Sequence, residues 1–169
     1  MIVSALGKGS ESDAFESGEP ALDRYLQMQA SQDQRAGVAR CYVLHAKDST
    51  EISGYYTLSA FALLVGEIPD GDKKKLPRYP HVPVTLLGRL AIARKAQGQG
   101  LGKLLVVDAL ARAASVRESI ASWAVVVDPL NASAAHFYSK FGFRKCCAPE
   151  SGDERMFLTF RDIEKNLDL

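Results

Sequence analysis

Gln97-Gly98-Gln99-Gly100-Leu101-Gly102 stands between two runs of different character. Thr85 to Ala93 is strongly apolar and reads as a central strand; Leu101 to Ala114 reads as a helix. A glycine-rich turn from strand to helix suits an anion. Glycine has no Cβ, so the backbone can take positive φ and approach a ligand closely. The first N–H groups of the helix have no acceptor within it, and the helix dipole favours negative charge there. Spacing narrows the ligand. A Walker A loop would need Gly at Gln97 and Ser or Thr at Leu104. The evenly spaced Gly98, Gly100 and Gly102 do not make G-x-G-x-x-G, and the turn lies past the middle of the chain rather than at the first β–α turn. What remains is Gln-x-x-Gly-x-Gly, at Gln97, Gly100 and Gly102.

The size and composition set outer bounds. At 169 residues the expectation is a single domain spanning 1–169. With 47% apolar and 24% charged residues, this is the composition of an ordinary globular protein. No apolar run is long enough to span a bilayer, and Met1 to Leu6 lacks the pattern of a signal peptide. Cys41, Cys146 and Cys147, an odd count with an adjacent pair, make a poor disulfide framework, and no Cys/His spacing suggests a metal site. The expectation is a cytoplasmic protein with reduced thiols and no metal. Net charge is +1 but uneven. Between Asp70 and Lys103 eight basic residues face two acidic ones, a local +6, so the rest of the chain carries −5. Such a stretch is either a solvated surface or a face for a polyanion.

In chain order, Glu19-Pro20 opens a helix carrying Leu22, Tyr25 and Leu26. Val38 to Ala46 and Glu51 to Val65 read as two paired strands around the turn Lys47–Thr50, with Gly54 marking a bulge or close approach. Pro69 to Pro83 reads as a long irregular loop. After the glycine turn, Leu104, Leu105, Ala109, Leu110 and Ala111–Ala114 give the next helix a buried side. Trp123 to Val127 is a buried strand; Asp128 to Asn131 turns into a helix from Ala132 to Phe141, which Gly142 ends. Phe143 to Cys147 and Arg155 to Phe160 read as strands around a polar loop at Pro149–Gly152, followed by a short helix from Arg161 to Leu167. The sum is an α/β (α+β) mixed sheet with helices on its faces.

Asn131, Ala135 and Tyr138 share one face of the helix after the buried strand. Asn131 to Phe143 resembles the N-x-x-A-x-x-F-Y-x-k-x-G-F signature of the GNAT acyl-CoA N-acetyltransferases, and Gln97-x-x-Gly100-x-Gly102 resembles the pyrophosphate loop of the same family. The resemblance covers roughly Val38 to Phe160. It implies a GNAT fold whose mixed sheet splays between its fourth and fifth strands, at Leu90-Ala91-Ile92. It places the pyrophosphate of acetyl-CoA on backbone N–H groups of Gln97, Gly98, Gln99, Gly100, Leu101, Gly102 and Lys103. A backbone N–H near Ala91 or Ile92 would stabilise the oxyanion, the Asn131 amide would hold the pantetheine, and Tyr138 would protonate the leaving thiolate. No residue stands out as the base; His45, His81, His136 and Glu67 are the candidates.

Phe15 to Leu26, Gly54 to Ser59 and Leu87 to Ala91 further resemble the GNAT toxins of the TacT/AtaT type. That resemblance implies an aminoacyl-tRNA substrate acetylated on its α-amine, a ribbon-helix-helix antitoxin and a homodimer. It makes Lys73, Lys74, Lys75, Arg78 and Arg89 candidates for tRNA phosphates. The other reading of the same residues is an acetyltransferase of a small amine or a protein N-terminus.

Overall fold

The computed structural model describes residues 1–147 and 154–166. Among these residues the chain forms seven strands in the order β1-β2-β3-β4-β5-β7-β6, a mixed sheet with β4 parallel to β5. Two compact units share it: residues 1–59 with 87–112, and residues 60–86 with 113–169. The boundary falls at Ser59/Ala60, Leu86/Leu87 and Arg112/Ala113, inside β3, β4 and a helix, and not in the proline-rich segment.

In the first unit β1 (Ile2–Ala5) pairs antiparallel with β2 (Arg40–His45), which pairs antiparallel with β3 (Ile52–Leu64). The N-terminal strand is a correction to the sequence reading. Its four residues are too few to show a pattern, and it is held by pairing with β2. Helix α1 (Pro20–Met28) starts with Pro at its first turn, and α2 (Ala30–Ala36) follows and ends at Gly37 in the left-handed region. Phe15, Tyr25, Leu26, Cys41, Val43 and Tyr55 form the core of this unit. The Phe15 and Tyr25 rings sit 5.4 and 6.4 Å from the Tyr55 ring.

Gly54 is both of the things its position suggested. It lies opposite Leu44, next to a register shift between Leu44 and His45. A Cβ there would stand 2.7 Å from Ile92 Cδ1 and 3.0 Å from the Ala91 carbonyl oxygen. The end of β4 (His81–Ile92) therefore closes directly on the β3 backbone. Helix α4 (Leu101–Val116) buries Leu105, Val106, Ala109, Leu110 and Ala113, at i, i+4 spacing, while Leu104 is turned to solvent. The expectation of a buried Leu104 fails because the helix phase puts Val106 inside instead.

The second unit carries the remainder of β3 and β4 with β5 (Ala124–Val127), β6 (Arg144–Lys145) and β7 (Met156–Thr159). β7 pairs antiparallel with β5 and with β6, Val125 facing Leu158 and Arg144 facing Phe157. The Trp123 N–H donates to the Pro83 carbonyl at 2.8 Å. Leu63, Ile68, Val82, Val84, Val126 and Phe157 form the core of this unit. The segment read as a long loop contains a short helix, α3 (Asp70–Lys73), and β4 already begins at His81, so Pro83 belongs to a strand. Helix α5 (Ala132–Ser139) precedes Gly142, whose φ is +93°. Helix α6 (Phe160–Asn166) closes the described chain, and the expected loop at Pro149–Gly152 and helix end at Leu167 lie outside the described residues.

Because the Gly54 contact is with backbone as well as a side chain, Gly54→Val is expected to destabilise the fold by about 1–3 kcal/mol. Urea denaturation measures this; an unchanged midpoint would mean that β3 and β4 can move apart freely.

Candidate active site

In the first unit the strand-to-helix turn is assembled by hydrogen bonds that leave part of its backbone free. The Ala93 N–H donates to Ser53 O at 2.9 Å and the Arg94 N–H to Glu16 O at 2.8 Å. Arg94–Ala96 form one 3₁₀ turn. The Gln97 side chain then folds back, its Nε2 donating to Ser17 O at 2.8 Å and to Ile92 O at 3.0 Å. Gly98 and Gly100 both have φ of +76°, and nothing lies within 4 Å of where a Cβ would be. Glycine is needed here for backbone conformation, not for room. The Gln97 N–H donates to Arg94 O at 3.3 Å, and the Lys103 and Leu104 N–H groups to Gly100 O at 3.1 and 3.5 Å. Among the described residues, nothing accepts the N–H groups of Gly98, Gln99, Gly100, Leu101 or Gly102. Five donors in succession, at an accessible helix N-terminus, form an anion cradle. Leu90, Ala91 and Ile92, the end of β4, lead into it, with Ala91 buried.

In the second unit Asn131 is the N-cap of α5, its Oδ1 accepting the Ala134 N–H at 2.9 Å. That leaves its Nδ2 as the group able to meet a ligand. The turn that presents it is held by the residue just before β7: Arg155 grips Asp128 through Nε at 2.7 Å and Nη2 at 3.0 Å, and its Nη1 reaches Glu67 at 3.3 Å. Tyr138 is buried between the rings of Phe137 and Phe143, at centroid distances of 5.3 and 5.5 Å. Burial raises its pKa, because the phenolate would lose solvation, so the hydroxyl keeps its proton through the neutral range.

Tyr138 differs from the other buried tyrosines. Tyr25 donates to Asp33 Oδ2 at 3.0 Å, Tyr55 to Leu22 O at 2.7 Å and Tyr56 to Asp108 Oδ2 at 2.5 Å. Tyr138 has no hydrogen-bond partner among the described residues, and no fully enclosed side-chain oxygen among them lacks one. Its oxygen is therefore not sealed in, and it remains available to a ligand. Of the candidate bases, Glu67 is committed to Arg155 and to the Leu64 N–H, and His45 contacts Ser4 Oγ and Ala46 O, each at 2.9 Å. His81 and His136 are exposed.

The basic stretch does not act as one patch. Lys73 is paired with Asp70, Arg94 with Glu16 and Lys95 with Glu51. Lys74, Lys75, Arg78, Arg89 and Lys103 have no carboxylate within ion-pairing distance among the described residues. Lys73, Lys74 and Arg78 line one surface bay beside the exposed Tyr79, while Lys75 lines another. Arg89 lies in the other unit, its guanidinium carbon 3.6 Å from the centroid of the Tyr25 ring. Tyr25 is in turn tied to Asp33, and burial with that bond pushes its hydroxyl up to about 12. Four further arginines, Arg112, Arg117, Arg144 and Arg155, stand over aromatic rings, and each has a carboxylate partner. Among the described residues, Arg89 alone of the five has a ring and no paired carboxylate, which leaves its N–H groups for an anion. Sequence reasoning missed the supporting roles of Tyr25, Arg155 and the Gln97 side chain, since each acts across a long sequence separation.

Known proteins resemble this chain in sequence and in fold. A model of the Acetyltransferase (GNAT) family matches residues 9–143. The chain is 38% identical over 130 residues to a tRNA-acetylating toxin of Mycobacterium tuberculosis (strain ATCC 25618 / H37Rv), covering 77% of this chain and 76% of that protein. Its fold matches a tyrosine-to-phenylalanine mutant of KacT with a TM-score of 0.90 at 28% identity, covering 97% of each chain. It matches AtaT complexed with acetyl-methionyl-tRNAfMet with a TM-score of 0.88 at 28% identity, again over 97% of each chain. A third match is a tyrosine-to-phenylalanine mutant of AtaT bound to the C-terminus of the antitoxin AtaR and acetyl-CoA, with a TM-score of 0.80 at 25% identity over 99% of this chain and 98% of that one. The chain belongs to the GNAT acetyltransferase family.

Since Gly100 has open space and a left-handed backbone, Gly100→Ala is expected to cost about 1–2 kcal/mol through backbone strain alone. Thermal denaturation should show a melting temperature lower by roughly 2–8 °C with the fold retained; a loss of fold would indicate a clash instead.

Proposed function

We propose that this chain is the toxin of a toxin–antitoxin pair, transferring the acetyl group of acetyl-CoA to the α-amine of aminoacyl-tRNA and so blocking translation. The observation that carries this reading is the 38% identity to a tRNA-acetylating toxin over three quarters of both chains. The N–H groups of the loop and the Tyr138 hydroxyl, which lack partners among the described residues, support it. In this reading the whole chain is one acetyltransferase domain, 1–169. It works in the cytoplasm as a homodimer and is held in check by a ribbon-helix-helix antitoxin.

Gln97 to Lys103 hold the pyrophosphate of the donor, chiefly through the five N–H groups from Gly98 to Gly102. Asn131 meets the pantetheine through Nδ2. A backbone N–H at Ala91 or Ile92 stabilises the oxyanion that forms when the neutral amine attacks the thioester carbonyl. As the tetrahedral intermediate collapses, the C–S bond breaks and Tyr138 gives its proton to the sulfur. The amine nitrogen gives its extra proton to water and the Tyr138 phenolate takes one back from water, so the enzyme is restored and the products are the amide and free coenzyme A. An aminoacyl ester amine is more acidic than a lysine amine, so no dedicated base is required of His81 or His136. Lys73, Lys74, Lys75, Arg78 and Arg89 contact tRNA phosphates, with Arg89 oriented by Tyr25.

Labelled acetyl-CoA incubated with a pool of charged tRNA is expected to label the aminoacyl group. Labelling only of a small amine or a protein N-terminus would overturn the reading. Tyr138→Phe is expected to lower kcat by about 10²–10⁴-fold with the KM for acetyl-CoA little changed, and to relieve growth arrest. A fully toxic Tyr138→Phe variant would remove the tyrosine from the chemistry.

A further inference from the structure

Lys75 is separated from the other basic residues of its own segment, and the bay it lines has a composition of its own. This bay, about 540 Å³, lies in the second unit between α3, the start of β5, β6 and α6. Four cations line it, Lys75, Arg144, Arg161 and Lys165, against two carboxylates, Asp72 and Asp162, a net +2.

The two carboxylates are already committed. Asp72 receives both terminal nitrogens of Arg144 at 2.9 Å, which holds its carboxyl below the usual range. Asp162 accepts the Thr159 hydroxyl at 2.8 Å and lies 3.8 Å from Arg144. Arg144 is also stacked over Phe157, 4.7 Å from the ring centroid. It is a neutralised, fixed part of the wall.

Lys75, Arg161 and Lys165 are different. All three are exposed, and none has a carboxylate within ion-pairing distance among the described residues; Lys75 feels Asp72 only at longer range. Arg161 and Lys165 are four apart on α6 and so share a side of that helix. The one acidic residue between them that is free of the bay, Glu164, is turned to Arg117. The half-buried Trp123 also lines the bay, its ring stacked on Phe157 at 5.6 Å.

We propose that this bay is a second tRNA-contacting surface, in which Lys75, Arg161 and Lys165 each neutralise a backbone phosphate of the substrate. The inference rests on the reading that the substrate is aminoacyl-tRNA, and it adds α6, which no feature of the basic stretch foretells. RNA fits better than an acidic protein segment for a structural reason. Of the bay's two guanidiniums, Arg144 is already committed to a carboxylate, and Arg161, which is free, has the planar fork that binds phosphate. What remains free are three separate, long-stemmed cations on a concave surface, an arrangement suited to successive phosphates.

The test is the double variant Arg161→Ala/Lys165→Ala of the full chain, compared with Lys8→Ala/Lys47→Ala, which removes two exposed cations elsewhere. For the first variant the KM for charged tRNA at physiological salt is expected to rise about tenfold. The slope of log KM against log salt should become shallower by roughly 1.5–2, while kcat at saturating tRNA, the KM for acetyl-CoA and the melting temperature hold. The control variant should keep the wild-type slope. Equal slopes in all three proteins would overturn the proposal while wild-type turnover on charged tRNA leaves the parent reading standing. Absence of that turnover in the wild type would overturn both. Unchanged tRNA parameters with weakened antitoxin binding would assign the bay to the protein partner and equally overturn the proposal.

Discussion

Five consecutive backbone N–H groups without an acceptor among the described residues are the constraint around which the first unit is arranged. Leaving such groups unpaired is costly unless water or a ligand takes them. The surrounding turn keeps them free by satisfying its own needs elsewhere. The Gln97 amide joins the turn to both Ser17 and Ile92, so the loop is anchored by a side chain and its backbone stays available. The contact of β4 on Gly54 fixes the strand that delivers the loop. Positive φ at Gly98 and Gly100 then turns the chain.

Arginine chemistry makes the same division between support and function throughout the chain. Arg155 is mostly buried and holds Asp128 and Glu67 at once, so the turn that leads to Asn131 is set by an ion-pair cluster rather than by loop sequence. Breaking such a cluster would strand a buried charge, a far larger effect than losing an exposed pair. Arg112 links Asp108 to the Val3 carbonyl over the Tyr42 ring and so holds the N-terminal strand. Against this background Arg89 stands out, with an aromatic platform and no paired carboxylate among the described residues. The same reasoning separates Arg144 from its free neighbours Arg161 and Lys165.

Much of this was legible in the sequence because it is local. The Gln97–Gly102 spacing, the Pro20 helix start, the paired strands around the Lys47–Thr50 turn and the Asn131–Tyr138 helix all depend on residues within a few positions of one another. The misreadings have a common origin. β1 is too short to show a pattern and exists through its partner. The Pro69–Pro83 segment looks uniform because proline and lysine dominate it, yet tertiary pairing draws its end into β4. Composition puts Leu104 inside, whereas helix phase, fixed by packing, selects Val106. For the site, the residue types that do chemistry were visible. The residues that hold them, Tyr25 and Arg155, lie dozens of positions away and carry no motif.

The way the two compact units are threaded also governs how the protein comes to exist. Each is built from separate stretches of chain, and β3, β4 and α4 each belong to both. During synthesis the first unit cannot close until residue 112 has emerged, long after β1 to β3 are made. β7, made after β6, must slot between β5 and β6 to complete the second. Partial chains therefore expose strand edges and lack a finished core. For a chain threaded this way, folding of either unit waits on stretches of sequence made far apart in time.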